Sequence, residues 1–257
     1  GAERAGRDRG RGAVLAFWSG EEIGLLGSQE FVRSGPVPMD EVAAYVNFDM
    51  VGRMRDNILT AQGLGSSSVW PGLVDEVNSA FEFDLQRVSD PYLPTDSIRF
   101  VEADVPSLAL FTGSHPDYHR PSDDTDTINF PDLERTARYG AAVAARLIDE
   151  PAPPDFVAVE RTEQPGRAMT RITTGTIPDY GAEIEGLRLS GVMAGGPAAR
   201  AGLEAGDIIV GMAGVAVGNI YDYMGALDLL KADEPAAVVF MRDGERRETQ
   251  LVPVARD

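Results

Sequence analysis

The sequence has no cysteine, a single lysine (Lys231), only two histidines and no long apolar run. Without cysteine there are no disulfides, thiol nucleophiles or thiolate metal ligands, and the compartment stays open. No apolar stretch approaches the roughly 18 residues of a membrane span. Residues 1–12 carry Arg4, Arg7, Arg9 and Arg11 without an apolar core, so they show no signal-peptide pattern. Basic residues are also scarce: 23 against 41 acidic ones leave a net charge of −18. Phosphate neutralisation needs clustered Lys and Arg, so nucleic acid is excluded as a partner. A hydrophobic share of 43% with 25% charged residues is enough to build cores in a chain of 257 residues, which suggests one large domain or two modest ones.

Prolines divide the chain. Pro151, Pro153, Pro154 and Pro165 crowd a stretch between a helical pattern and a strand pattern. That density favours semi-rigid extended chain, so residues 1–150 read as one domain, 151–167 as a linker and 168–257 as a second domain.

In the first part, strands alternate with helices. Continuous apolar runs at Ala13–Trp18, Ala44–Phe48 and Ser107–Phe111 predict strands buried on both faces. Helices are expected at about Leu25–Val32, at Pro71–Phe83 and at Pro131–Ile148, the last with Leu133, Ala137, Ala141, Ala144 and Ile148 on one face. Such alternation predicts an α/β fold with a mostly parallel sheet and flanking helices. The second part has shorter strands, expected at Met169–Thr173, Gly186–Leu189, Ile208–Val210, Val238–Arg242 and Thr249–Val254. Helices at Pro197–Ala201 and Tyr221–Leu230 interrupt them, and Asp243-Gly244 marks a tight hairpin. This pattern predicts a small, partly open β-barrel.

Polar clusters follow the three apolar runs: Glu21-Glu22, Asp49, and a loop holding both histidines, His115 and His119. Ligands of open α/β sheets bind outside the carboxyl ends of strands, so these residues could share one crevice. Carboxylates with imidazole and no thiolate suit a hydrolytic zinc site. The adjacent glutamates allow one to bind metal while its neighbour takes a proton from water. Each cluster also has a plainer reading. A Glu-Glu pair commonly offsets the dipole in a helix's first turn, Asp49 could cap a turn, and a histidine in a Pro-flanked loop is usually structural. Three clusters at equivalent strand ends favour the site.

The segment Phe17-Trp18-Ser19-Gly20-Glu21-Glu22-Ile23-Gly24-Leu25-Leu26-Gly27-Ser28 resembles the glutamate motif of the di-zinc aminopeptidases, the group with bacterial leucyl and Streptomyces-type enzymes. Asn47–Arg53, Thr95-Asp96-Ser97 with Phe100 and Val105-Pro106, and Tyr118–Asp123 resemble its later motifs, in order, from about residue 13 to 149. The resemblance implies Glu21 as general base, Glu22 and His119 as ligands to one zinc, and Asp49 as ligand to the other. It implies Tyr118 as donor to the oxyanion and Asp123 as a carboxylate fixing the imidazole tautomer. It assigns no role to His115, which is read as structural, while Phe100 and Asp96 read as pocket wall and loop anchor. In that family a histidine and a bridging aspartate precede the glutamate motif, whereas this sequence has no histidine before His115. The expectation is therefore an N-terminally truncated catalytic domain lacking half of its two-zinc site.

Ser190-Gly191-Val192, Gly196–Leu203 and Gly206–Val210 resemble bacterial protease-type PDZ domains over about 168–256. That implies an extended peptide or C-terminus as partner, with Thr174, Gly175, Thr176 and Ile177 as the carboxylate-binding loop and Tyr221–Leu230 as the opposite groove wall. Together these resemblances imply an exported bacterial zinc aminopeptidase, periplasmic or extracellular, acting on peptides or proteins. The rival readings are a glutaminyl cyclase, carboxypeptidase or deacylase of the same fold, and a relic peptidase scaffold that acts through its PDZ groove.

Overall fold

A computed structural model describes residues 10–22, 24–115, 117–118, 120–160, 172–181 and 184–255. The chain divides into two compact units, residues 1–112 with 128–159, and residues 113–127 with 160–257.

The first unit holds α1 (Leu26–Ser34), β1 (Tyr45–Phe48), β2 (Ile58–Gln62), α2 (Trp70–Asn78), β3 (Asp84–Val88), α3 (Ser97–Val101), β4 (Ser107–Phe111) and α4 (Phe130–Asp149). Its sheet runs β1-β4-β2-β3. The outer pairings β1–β4 and β2–β3 are parallel and the central β4–β2 pairing is antiparallel. This is the expected α/β class with a mostly parallel sheet. All five residues of β4 are buried, as an apolar run at the centre of a covered sheet requires. The core joins Leu59, Trp70, Leu108, Leu110, Tyr139 and Val143.

The run at Ala13–Trp18 is not a strand. It has no regular structure, and Val14, Leu15 and Phe17 are 62%, 87% and 94% exposed. A strand forms only where a neighbour satisfies its N–H and C=O groups, and β1 pairs with β4 alone among the described strands. Two strands that apolar runs do not announce, β2 and β3, complete the sheet instead.

Helix α2 stops at Asn78, five residues before the predicted end. The Asn78 amide folds the chain back, accepting from the Phe83 N–H and donating to the Phe83 carbonyl, both at 3.0 Å, and Glu82 adopts φ 57°. Helix α4 is capped by Asn129, whose side chain accepts from the Asp132 N–H. Its buried stripe is Thr136, Tyr139, Gly140, Val143 and Leu147, not the predicted alanine-rich face. The helix turns its large side chains inward because they bury the most apolar area. The Tyr139 hydroxyl reaches the Val74 carbonyl at 3.0 Å, and Gly140 leaves room for Phe48, whose ring tip would lie 2.2 Å from any Cβ there.

Residues 151–159 lie within the first unit. Ser67 and Ser68 both donate to Asp155 at 2.8 Å, and the Val157 N–H bonds the Ser66 carbonyl. Hydrogen bonds from Ser68 and Ser67 hold the Asp155 carboxyl below the usual carboxylate range.

The second unit holds β5 (Ile172–Thr173), β6 (Thr176–Pro178), β7 (Leu187–Val192), α5 (Pro197–Arg200), β8 (Ile208–Met212), β9 (Val215–Ala216), α6 (Ile220–Leu227), β10 (Ala236–Arg242), β11 (Glu245–Leu251) and β12 (Val254–Ala255). Met169, Thr170 and Arg171, placed in the first predicted strand, lie outside the described residues. Strands β11-β10-β8-β7-β6 form an antiparallel sheet, β9 pairs with β8, and β12 pairs with β5. The sheet stays open, since β6 and β11 do not meet. Asp243-Gly244 makes the two-residue hairpin turn, both residues at positive φ, with Arg242 opposite Glu245. Asp207, 1% exposed, is forked by Arg242 through Nε and Nη2, both at 2.7 Å, so its buried charge is compensated.

The inward face of α4 is testable. Leu147→Ala should cost about 2–5 kcal/mol, whereas exposed Ala137→Lys should stay within about 0.5 kcal/mol. Urea denaturation of both variants checks this, and a larger loss from Ala137→Lys would contradict the packing.

Candidate active site

The glutamate pair sits on a turn that precedes α1. Gly20 and Gly24 take φ 70° and 122°, and Leu25 takes φ 60°, a left-handed conformation strained for a side chain with a Cβ. The Glu21 carbonyl accepts the Gly24 and Leu25 N–H groups at 3.0 and 2.9 Å, and the Gly20 carbonyl accepts Leu26. Gly27 donates to the Ser19 carbonyl at 2.9 Å, and a Cβ on Gly27 would lie 2.7 Å from both the Ser19 nitrogen and oxygen. Only glycine permits that approach. Because α1 begins at Leu26, neither glutamate stands in a helical first turn, and the dipole-balancing reading of the pair lacks its geometry. Glu21 is half-buried and Glu22 exposed.

Asp49 directly follows β1, where its N–H extends the ladder to the Leu110 carbonyl at 3.1 Å. The next residue, Met50, turns the chain at φ 48°, and its carbonyl accepts the Thr112 hydroxyl at 2.6 Å. Asp49 thus stands at the carboxyl end of one parallel strand, beside the carboxyl end of another.

Behind these residues is a polar and aromatic support that the sequence did not announce. Trp18 Nε1 donates to the Tyr45 hydroxyl at 2.7 Å, which donates to Asn47 Oδ1 at 2.8 Å. Phe100 stacks on Tyr45 with centroids 3.9 Å apart, and Trp18 lies edge-on to Phe31 at 5.1 Å. The Ser28 hydroxyl donates to Asp96, which ties α1 to the Thr95-Asp96-Ser97 segment as an anchor. Burial pushes the Tyr45 phenol well above its usual range, and the nearby carboxylates of Asp96 and Asp49 push it further, while Trp18 opposes them. Burial also raises Asp96, against the Ser28 hydrogen bond and Arg99.

Tyr118 and Asp123 belong to residues 113–127, which group with the second unit. His119 lies outside the described residues. Asp123 Oδ2 faces His115 Nε2 at 3.6 Å, and Tyr118 sets its ring edge-on to His115, which is 5% exposed. Among the described residues no three His, Asp or Glu side chains converge as a metal site.

Thr174 and Gly175 link β5 to β6, and Thr176 and Ile177 lie in β6. Gly175 takes φ 70°, and the carbonyls of Thr174 and Gly175 accept the N–H groups of Ala198 and Met193, both at 2.8 Å. The hydroxyls of Thr174, Thr176 and Tyr223 form a triangle that joins this segment to α6. Burial raises the Tyr223 phenol, opposed by those two threonines.

The sequence model of Peptidase family M28 matches residues 3–144, and that of a PDZ domain matches residues 188–240. A probable leucine aminopeptidase 2 of Aspergillus fumigatus is 25% identical over 189 residues, covering 61% of this chain and 38% of its own. Leucine aminopeptidase 2 of Trichophyton rubrum is 34% identical over 111 residues, covering 39% of this chain and 22% of its own. The chain therefore spans well under half of these relatives' length. Among solved structures, BSAP, a zinc aminopeptidase from Bacillus subtilis, is 24% identical with a TM-score of 0.44, covering 56% of this chain and 38% of its own.

The raised Asp96 carboxyl sets a pH dependence. A carboxyl whose folded pKa lies above its unfolded value, about 3.9, favours folding below that value and loses this contribution as pH rises through the folded pKa. Asp96→Asn keeps an acceptor for Ser28 without the charge. The variant should therefore gain stability relative to the parent as pH rises from about 4, with the difference levelling to a constant below it. Melting temperatures across that range check this, and a pH-independent difference would refute it.

Proposed function

The chain belongs to peptidase family M28 and carries a PDZ domain, and on that footing we propose that it serves a zinc-dependent aminopeptidase that removes N-terminal residues from peptides. The observation that carries this reading is the glutamate turn: two adjacent carboxylates are held on a strained loop outside any helix, where they balance no dipole.

In this reading Glu21 is the general base. Its carboxylate takes the proton of the attacking water and returns it to the leaving amine, while Glu22, one residue on, is committed to metal. Asp49 and His119 complete the donors available here, and Tyr118 donates its phenolic O–H to the oxyanion of the tetrahedral intermediate. The donors fit zinc by chemistry, since carboxylate oxygen and imidazole nitrogen are its ordinary non-thiolate ligands. Zinc, when bound, supplies Lewis-acid polarisation and lowers the pKa of water. The aromatic support fixes the position of the Asp49 strand end, and the Gly27 contact fixes the glutamate turn; both act before any substrate arrives.

The second unit, in the same proposal, receives an extended peptide or C-terminus at β6, with Thr174–Ile177 around the carboxylate and α6 opposite. Net negative charge makes a strongly acidic peptide a poor ligand. An exported location, periplasmic or extracellular, is part of the proposal; no described helix is long and apolar enough to cross a membrane.

Roles within the pair are separable. In a protein carrying the complete two-zinc site, Glu21→Gln should keep zinc affinity while lowering kcat on aminoacyl-nitroanilides by about 10²–10⁴. Glu22→Gln should weaken zinc itself by at least about tenfold. Zinc titration with turnover assays tests the assignment, and equal zinc loss in both variants would overturn it.

A further inference from the structure

Strand β6 is irregular where it meets β7. Its register shifts between Ile177 and Pro178, so Pro178 pairs with Leu189 rather than the next residue in sequence. A bulge of this kind re-aims backbone groups away from the ladder. The Pro178 carbonyl accepts two hydroxyls: Ser190 of β7 at 3.3 Å, which also reaches the Ile177 carbonyl at 3.1 Å, and Ser114 at 3.1 Å from the segment that follows β4. Ser114 is 4% exposed, so this contact is made away from solvent.

Ser114 also opens a short, internally bonded loop. The N–H groups of Tyr118, Arg120 and Asp123 donate to the carbonyls of His115, Asp117 and Arg120, at 3.0, 2.9 and 3.0 Å. Ser122 donates to Asp117 Oδ1 at 2.8 Å, and His115 and Asp123 face one another across the loop. These contacts make the described loop residues one braced piece, and the Ser114 hydrogen bond ties that piece to β6.

We propose that Ser114 is a positioning residue: it registers the loop bearing Tyr118 against strand β6, so that the strand expected to receive an extended peptide also sets the place of the phenol. This inference rests on the reading of Tyr118 as oxyanion donor and of β6 as the peptide edge, and adds a physical tie between them. An added strand bonds β6 along the edge that no other described strand occupies, and any shift of the bulge is then carried through the Pro178 carbonyl to Ser114 and its loop. Binding at one end and loop position at the other are coupled reciprocally.

The test uses the full chain with 3-fluorotyrosine at position 118, read by fluorine NMR, and amide exchange across 117–124. Ser114→Ala should move the Tyr118 resonance and speed exchange at Tyr118, Arg120 and Asp123 by about fivefold, the factor set by one ordinary hydrogen bond. Ser114→Thr, which retains the hydroxyl, should restore both. Ser190→Ala, which strips the same carbonyl of its other donor, should leave Tyr118 unmoved. An unmoved resonance in Ser114→Ala, or an equal shift in Ser190→Ala, overturns the proposal. Neither readout depends on turnover or zinc, so an inactive chain with a responsive Tyr118 would sink the aminopeptidase reading alone.

Discussion

The hydrogen-bond relay from Trp18 through Tyr45 to Asn47, stacked against Phe100, underlies the organisation of the first unit. Its members come from three parts of the chain: Trp18 from the extended segment before the glutamate turn, Tyr45 and Asn47 from strand β1, and Phe100 from helix α3. A buried phenol must find both a donor and an acceptor, and here one hydroxyl receives the indole and gives to the amide. The Ser28–Asp96 contact repeats the logic between α1 and the start of α3. Asp49 and the glutamate turn are therefore attached to an aromatic block, not to a mobile surface.

Backbone constraint does comparable work in both units. Around the glutamates, left-handed residues and the close approach of Gly27 to Ser19 leave the chain few alternatives. In the second unit, the bulge at Ile177/Pro178 and the hydroxyl triangle of Thr174, Thr176 and Tyr223 hold β6 and the residues just before it. The Asp207–Arg242 fork ties the start of β8 to the end of β10 in the same sheet.

Local signals in the sequence determined a good part of this architecture. The apolar run of β4, the length of α4 and the Asp243-Gly244 hairpin follow from near-neighbour chemistry, and the structure has them at or close to their expected bounds. The Glu21-Glu22 pair and Asp49 could be singled out because acidic residues after apolar runs are conspicuous. Tertiary structure alone decided the rest. Val14, Leu15 and Phe17 read as a buried strand, yet a strand is a property of a pair of segments, and no described partner reaches them. Strands β2 and β3 were hidden because Thr60, Gln62, Gln86 and Arg87 break their apolar pattern, and only their places beside β4 make them strands. The inner face of α4 depends on which side chains meet Trp70 and Leu110 across the core, a contact that helical spacing cannot specify. The Trp18–Tyr45–Asn47 relay and the tie from Ser114 to Pro178 join residues 27 and 64 positions apart in sequence. Their hydrogen-bonding capacity is written in the side chains, but which partner each one finds is settled only when the chain has folded.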